Sequence, residues 1–277
     1  MKGSKLFPVS SFKVKPVNTP EVINTHAVQI DGRWVERLGT LAVIIGVTTE
    51  ENVDKTIEDS FGGILKSSKI SSNPGLQTKI HDCKHKLYAV RYHLRTIKDE
   101  TDKRFKDFQK NYKAASGASF EQENPILIYE TESFLFQVKS NLDLMVQALS
   151  HVVPSLKSFR TFAHSGTPGQ LDYLAGGKFI KELGKASEQE LQGIFDTNRT
   201  EWIQEMTIWR DTITHYSKLR NFFCFIEEPY CGEDVVIHYP SMPNGERLDD
   251  YCNKIYENLI RLYREVFKII NNKLGNK

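Results

Sequence analysis

The sequence has almost no excess charge and no long apolar run. Thirty-seven Lys and Arg residues face 35 Asp and Glu, which leaves a formal charge of +2. This balance excludes strong attraction of the whole molecule to nucleic acid or anionic lipid, so any basic site has to be local. The longest apolar run, residues 41–47, contains Gly46 and is far shorter than the ~20 residues that span a membrane. Because residues 1–8 also lack the apolar stretch of a secretory signal, we expect a cytoplasmic protein without membrane contact.

Cysteine is also scarce, and its spacing argues against a metal centre. The four cysteines form no CxxC pair, and an intracellular chain keeps them as thiols. His81 and His85 are one helical turn apart, a spacing that can bind zinc, but no third ligand is identifiable beside them. Residues 175–178 lack the earlier glycine and the Ser or Thr of a phosphate-binding loop. We therefore expect no metal and no cofactor. The cysteines are Cys83, Cys224, Cys231 and Cys252.

Residues 1–75 are expected to form an N-terminal extension of mixed strand and helix. Its first 25 residues contain three prolines and are typical of an extended arm. Two interpretations compete for the next segment. Asp31-Gly32 between alternating residues favours a β-hairpin, whereas the helical spacing of the apolar residues that follow favours a helix beginning at Arg33. A further helix is expected from Thr49, ended by Gly62-Gly63.

Residues 76–277 repeat apolar side chains at spacings of three and four, which predicts four long amphipathic helices. The first covers residues 80–112, and the second covers residues 127–153 and stops before Pro154. A capping box at residues 187–190 opens the third helix, which extends to Leu219. The fourth is capped by Asp249 or Asp250 and extends to Ile270.

Two segments interrupt this helical pattern. Residues 155–187, which follow Pro154, contain six glycine or proline residues, and this composition is typical of a long flexible connection. Residues 222–243 lose the helical period, and residues 235–239 suit a strand, so a β-hairpin insertion is expected at about 222–243. The predicted fold is therefore mainly α, a four-helix bundle with an N-terminal extension and a small β-hairpin insertion.

The third helix carries the pattern that bears on chemistry. It contains Arg210, followed directly by the polar Asp211, and four residues separate Arg210 from His215. An Arg/His pair at such spacing arises by chance about once in a chain of this composition, so its context has to decide. The context is the third long helix of a four-helix set, preceded by a second helix whose residues 130–143 are acidic, aromatic and polar.

This arrangement resembles the HEPN superfamily (higher eukaryotes and prokaryotes nucleotide-binding), over about residues 76–273. The resemblance implies a HEPN-like bundle that dimerises and cleaves RNA without a metal, in a toxin or phage-defence setting with a possible antitoxin protein as partner. Arg210 would bind phosphate, His215 would act as acid and base, and Asp211 would orient either Arg210 or the histidine of the facing subunit. The expected RNA contacts are Lys218, Arg220 and Tyr216. Because Tyr216 follows His215 directly, the tyrosine modification that controls some members is not expected.

The residue types suit this chemistry. An imidazole with a pKa near ~6.5 exchanges protons with a ribose 2′-hydroxyl at neutral pH, and a guanidinium stabilises the charge that builds on phosphate. The products would be a 2′,3′-cyclic phosphate and a 5′-hydroxyl. Five residues at ~100° each, however, place Arg210 and His215 ~140° apart around one helix. A twofold dimer removes this difficulty, because an arginine of one chain then approaches a histidine of the other.

Two other interpretations remain open. Arg210 and His215 are ordinary surface residues if the spacing is accidental, with His215 favoured by the dipole at its helix end. The chain is then a non-catalytic module that binds a protein, RNA or a nucleotide, with Phe222, Phe223 and Phe225 as candidate contacts. Residues 91–95, on the exposed side of the first long helix, offer a further surface for RNA.

Overall fold

Helices make up most of the described chain, which confirms the mainly-α prediction. The computed structural model describes residues 27–30, 33–38, 41–45, 54–111, 124–162, 175–215, 219, 222–227 and 236–275. The chain divides into two units, Met1–Asp54 and Lys55–Lys277. In the described helices no segment is both long and apolar enough to cross a bilayer.

The first unit contains a three-stranded antiparallel sheet. Its strands are β1 (Ala27–Ile30), β2 (Arg33–Leu38) and β3 (Leu41–Ile45), in the order β1-β2-β3. Ile30 lies opposite Arg33, and Leu38 lies opposite Leu41. Only two residues separate each pair, as in a tight hairpin. The alternative of a helix beginning at Arg33 is therefore wrong.

The second unit begins with two short helices, α1 (Lys55–Leu65) and α2 (Ser68–Ser71). Ile57, Phe61 and Ile64 of α1 are buried in the main core of this unit. The boundary expected at residue 75 is therefore wrong, because residues 55–75 belong to the helical unit. Gly62 and Gly63 lie inside α1 and do not end it, since burial of the apolar face offsets the ~1 kcal/mol that a helical glycine costs. The expected start at Thr49 lies outside the described residues.

Two long helices form the centre of the unit. They are α3 (Pro74–Asn111) and α4 (Pro125–Leu149). Side-chain bonds along their boundary pair Lys86 with Gln137 and Asn124 with Glu100, so the helices run antiparallel. Asn124 caps α4, since its Oδ1 accepts the amide of Ile126 at 2.9 Å, and Pro125 occupies the first turn, where its missing N–H costs nothing.

The glycine-rich connection contains a helix that the sequence did not predict. Helix α5 (Gly177–Lys185) buries Phe179, Ile180 and Leu183, and this packing offsets the helix-destabilising effect of Gly177 at its start and Gly184 near its end. Gly176 precedes it with φ +87°, and a Cβ there would lie 2.4 Å from the Phe162 ring. Residues 163–174 of the expected connection lie outside the described residues.

The third long helix is built from three segments. They are α6 (Gln189–Asn198), a π-helical turn (Arg199–Ile203) and α7 (Gln204–His215). The capping box is wrong, because Ser187 has φ 58° and Glu188 at the N-cap makes no side-chain cap bond. The described part of α7 ends at His215, and the expected end at Leu219 is not helical; residues 216–218 lie outside the described residues.

A hairpin and a final helix complete the unit. Strands β4 (Phe225–Glu227) and β5 (Val236–His238) pair antiparallel within the segment expected to form a hairpin. Tyr239, next to β5, stacks on Phe105 of α3 with ring centroids 4.0 Å apart.

Helix α8 (Leu248–Gly275) packs against α3, α4 and α1. Neither Asp249 nor Asp250 is its cap, because both lie in its first turn. There Asp249 accepts two hydrogen bonds from Arg247.

Candidate functional site

Arg210 and Asp211 lie near the C-terminal end of α7, where this helix packs against α4. Nη2 of Arg210 is 3.0 Å from Oδ1 of Asp211, and the two side chains are 15% and 21% exposed. The pair is thus half-buried but open to solvent. The sequence prediction that Asp211 lies beside Arg210 and can orient it is compatible with this geometry.

A second ion pair lies on α4, the helix against which α7 packs. Lys139 and Asp143 of α4 are one turn apart, and Nζ of Lys139 donates a hydrogen bond to Oδ1 of Asp143. Asp143 also accepts the backbone amide of Phe162 at 2.6 Å. Burial lowers the pKa of Lys139 below its usual range, Arg210 lowers it further, and Asp143 and Asp211 oppose the shift. We call Lys139, Asp143, Arg210 and Asp211 the charged cluster.

Polar atoms near the charged cluster are poorly satisfied. Nε1 of Trp209 and Nε of Arg210 are buried and have no hydrogen-bond partner among the described residues. Oδ1 of Asp211, although close to Nη2 of Arg210, makes no aligned hydrogen bond with any described residue either. Buried polar groups in folded proteins nearly always have partners, so three such atoms in consecutive residues are unusual. Because these atoms are shielded from solvent, a ligand from outside reaches them only if neighbouring side chains move.

The other predicted site residues are not brought to this cluster by any described contact. His215 is the last residue of α7, but its side chain lies outside the described part of the chain, as do Tyr216, Lys218 and Arg220 in full. The backbone keeps His215 on the same helix as Arg210. On an ideal α-helix, two positions five residues apart are ~140° apart around the axis.

Local sequence spacing offers no reason to select Lys139 and Asp143. Both fall within residues 130–143, the segment that carries the resemblance, but a Lys–Asp pair at i, i+4 is common on solvated helix faces. What distinguishes this pair is its position beside α7. That position depends on how two helices separated by about 70 residues pack, which local spacing does not specify.

The alternative zinc spacing at His81 and His85 is not supported. Both histidines are exposed, whereas Cys83 between them is fully buried, and burial raises the pKa of its thiol to about 12. Across the described residues, no three His, Cys, Asp or Glu side chains are grouped to hold a metal ion.

The surface available to a binding partner differs from the expected one. Phe222 is fully buried and packs in the core, so it is not a surface contact. Exposed aromatic side chains lie instead on α3 and α4, where Tyr92 and Tyr129 are 64% and 66% exposed and Phe136 is also exposed. His93, beside Tyr92, connects the two helices through a 2.7 Å hydrogen bond to Glu130. The sequence had indicated only the α3 side of this surface, residues 91–95.

Comparisons with known proteins do not assign the chain to a family. No family model, no curated protein and no solved structure matches it. The functional argument therefore depends on the residues of the charged cluster and on the α7 motif.

Proposed function

We propose that this protein is a HEPN-type endoribonuclease that cleaves RNA without needing a metal ion. The observation that supports the proposal is the Arg210–Asp211 pair, whose side chains are 15% and 21% exposed, so that part of the Arg210 side chain is open to solvent. Its guanidinium suits a phosphate oxygen, because this group is planar and permanently charged. The same helix ends at His215, which supplies a residue type able to exchange protons at neutral pH.

The proposed reaction uses the substrate's own nucleophile. His215 takes the proton from a ribose 2′-hydroxyl, the 2′-oxygen attacks the adjacent phosphorus, and the bond to the 5′-oxygen breaks. A protonated imidazole returns a proton to that leaving oxygen. The products carry a 2′,3′-cyclic phosphate and a 5′-hydroxyl. Arg210 stabilises the negative charge on the non-bridging oxygens as the transition state forms, and Asp211 positions Arg210.

A homodimer is part of the proposal, because one straight helix directs Arg210 and His215 ~140° apart. In a twofold dimer with α7 near the axis, Arg210 faces His215 of the partner subunit. Tyr216, Lys218 and Arg220, which follow α7 in sequence, are then proposed to bind the RNA on either side of the cleaved phosphate. A toxin or phage-defence role with an antitoxin partner is the biological setting that fits such an enzyme.

The test is RNA cleavage by the purified full-length chain in the presence of a chelator. Wild type should convert labelled RNA to fragments with cyclic phosphate ends. Arg210→Ala should lose about 10²–10³-fold in rate, as expected for removal of a transition-state donor, and His215→Ala should lose about 10²–10⁴-fold. Arg261→Ala and His85→Ala are matched controls at exposed positions and should retain the wild-type rate.

Mixing the two inactive variants tests the dimer. If Arg210 of one subunit acts with His215 of the partner subunit, a mixed dimer of Arg210→Ala and His215→Ala contains one intact site. A statistical mixture should then recover about a quarter of wild-type activity. No recovery after subunit exchange would contradict the shared site.

The non-catalytic alternative is favoured by a different observation, the exposed aromatic side chains Tyr92, Tyr129 and Phe136 on α3 and α4. Exposed apolar side chains grouped on one face are typical of surfaces that bind partners. This alternative predicts no cleavage by pure wild type. If the ligand is a nucleotide, it predicts instead an increase in melting temperature on nucleotide addition without loss of RNA.

A further inference from the structure

Exposed aromatic rings lie together on the outer side of the α3–α4 pair. Nδ1 of His93 is 2.7 Å from Oε2 of Glu130, and this contact joins the two helices. The exposed Tyr92 and Tyr129 directly precede these two residues in sequence, and the Tyr92 ring meets the His93 ring edge to face, with centroids 5.3 Å apart. One tyrosine of each helix is therefore held beside the same cross-helix bond. We call Tyr92, Tyr129 and Phe136 the aromatic surface.

Phe136 continues this surface along α4. It is exposed, and the next residue, Gln137, accepts a hydrogen bond from Nζ of Lys86 of α3 at 3.1 Å. Tyr129 and Phe136 are seven residues apart, which is about two turns or ~10.5 Å along the axis, on nearly the same side of the helix. Rings in direct contact have centroids ~4.5–7 Å apart. The two rings are therefore spaced to contact separate planar groups.

The aromatic surface lies in a locally basic part of the chain. Residues 74–98 of α3 contain six Lys and Arg residues and one Asp, a formal charge of +5 against +2 for the whole chain. Arg95, one turn beyond the tyrosine of α3, is 66% exposed, and its Nε is 3.8 Å from Oδ2 of the exposed Asp99. Such a surface ion pair contributes little and is easily exchanged. Lys86 bonds to the uncharged amide of Gln137, so that bond leaves its charge uncompensated.

Exposed rings beside cations suit single-stranded RNA better than a protein. Unpaired bases stack on aromatic side chains while cations contact the phosphates, and sites for single strands combine the two. The core of a protein interface is instead poor in lysine. In a duplex each base face is covered by its neighbours, so the rings of the aromatic surface have no base to stack on. The expected ligand is therefore an unpaired strand.

We propose that the aromatic surface is a stacking platform on which each ring contacts one base of a single-stranded RNA. Arg95 and Lys86 contact the phosphates between these bases. The inference rests on the proposed RNA substrate, because it assigns to the α3–α4 pair a part of that substrate beyond the cleaved phosphate. It does not require cleavage, so the two proposals can be tested separately.

The experiment measures the binding of a fluorescent 2′-O-methyl RNA oligonucleotide to the full-length chain by fluorescence anisotropy. The oligonucleotide lacks the free 2′-hydroxyl and cannot be cleaved by the proposed reaction. Tyr92→Ala and Tyr129→Ala should each weaken binding about fivefold to 150-fold, as for loss of one stacked base. Tyr92→Phe and Tyr129→Phe keep the ring and should bind within about twofold of wild type. The same oligonucleotide annealed to its complement should bind wild type more weakly than the single strand does.

The salt dependence separates the stacking contacts from the charged ones. Each phosphate contact to a single strand contributes about 0.7 to the slope of log K against log salt. Arg95→Gln should reduce the slope by about that amount, whereas Tyr92→Ala should weaken binding without changing the slope. Arg261→Gln is the matched control, because Arg261 is a half-exposed arginine of α8 in a similar surface ion pair with Glu201. It should change neither the affinity nor the slope.

A measurement on wild type alone keeps the inference testable if a variant does not fold. Ultraviolet irradiation of wild type with an oligonucleotide that carries 5-iodouridine should link the RNA to a peptide that contains Tyr92 or Tyr129, as identified by mass spectrometry. Links found only on peptides from outside α3 and α4 would overturn the inference.

The outcomes distinguish this inference from the proposed function. If wild type cleaves RNA but Tyr92→Ala and Tyr129→Ala bind the oligonucleotide as wild type does, the inference is overturned and the nuclease proposal stands. If wild type binds with the expected losses in the variants but cleaves no RNA, the inference is supported and the nuclease proposal is wrong. Absence of binding by wild type overturns the inference. So does a loss of affinity that coincides with dissociation of a dimer in analytical ultracentrifugation, because it assigns the aromatic surface to a second copy of the chain.

Discussion

The hydrogen bond between Tyr263 of α8 and Asn141 of α4 offers a stringent test of how the candidate site is supported. The Tyr263 hydroxyl donates to Oδ1 of Asn141 at 2.8 Å, and both residues are fully buried. Asn141 lies between Lys139 and Asp143 on α4, so this bond holds the inner face of the turn that carries them. The Nδ2 group of Asn141 separately donates to the Gln137 carbonyl at 3.0 Å.

Tyr263→Phe removes the donor and leaves Oδ1 of Asn141 buried without that partner. The expected loss in the free energy of unfolding is about 1–3 kcal/mol, the cost of an unsatisfied buried polar group. Asn141→Leu should also destabilise, because it removes the 2.8 Å acceptor and leaves the Tyr263 hydroxyl only the longer 3.4 Å bond to the carbonyl of residue 141. The double variant removes both partners, so its loss should be smaller than the sum of the single losses by about 1 kcal/mol or more.

The assay is urea denaturation of the full chain followed by far-UV circular dichroism, which reports on the helical unit. The slope of free energy against urea should stay constant across the variants, since the exposed surface changes little. Tyr92→Phe is the control, because its ring is 64% exposed, and it should change stability by less than about 0.5 kcal/mol. Strictly additive losses from Tyr263→Phe and Asn141→Leu would refute the bond as a source of stability.

Three further predictions test the fold around the site. Gly176→Ala should destabilise by about 2–4 kcal/mol, because alanine is strained at φ +87° and its methyl group meets the Phe162 ring; an unchanged urea midpoint would contradict this. Asn124→Ala should cost about 1 kcal/mol or more through loss of the α4 cap and of the hydrogen bond to Glu100, and its melting temperature should fall. Asn124→Asp keeps the cap acceptor but places a second carboxylate beside Glu100, so it should also melt below wild type. Burial raises the pKa of Glu132 above its usual 4.5, so the stability of wild type falls as pH rises through that raised value. Glu132→Gln should therefore be more stable than wild type at pH 7, with a difference that shrinks below pH 4.5; urea midpoints at both pH values measure it, and an equal difference at both would count against the burial effect.

The long helices were predictable because their signal is repeated many times. In α3 the apolar residues from Ile80 to Ile97 recur at spacings of three and four, and each is buried, so an error at one position does not change the prediction. Helix ends depend on single residues and were less accurate. Ser187 is of a residue type that often caps helices, but it adopts a positive φ. Asp249 accepts a hydrogen bond from Arg247 inside the first turn instead of capping α8.

The glycine-rich segment shows why short helices escape a local analysis. Gly177 and Gly184 of α5 indicate a loop by composition alone. The helix forms because Phe179 and Leu183 reach the core together, and that core is assembled from residues far along the chain. The candidate site divides in the same way. The spacing on the third helix predicts Arg210 and Asp211 as site residues, which stays a prediction, whereas no local spacing singles out the ion pair of Lys139 and Asp143 on α4.

The π-helical turn at Arg199–Ile203 accommodates one extra residue within the third long helix. A π turn holds one residue more than an α turn and therefore rotates less per residue than the ~100° of a regular helix. Deleting one residue here, such as the exposed Thr200, would restore a regular helix and leave Arg210 in nearly the same direction relative to α6. Deleting a residue from the regular part of α7 upstream of Arg210 would instead rotate Arg210 by ~100°, so this helix tolerates a change of length at only one of its segments.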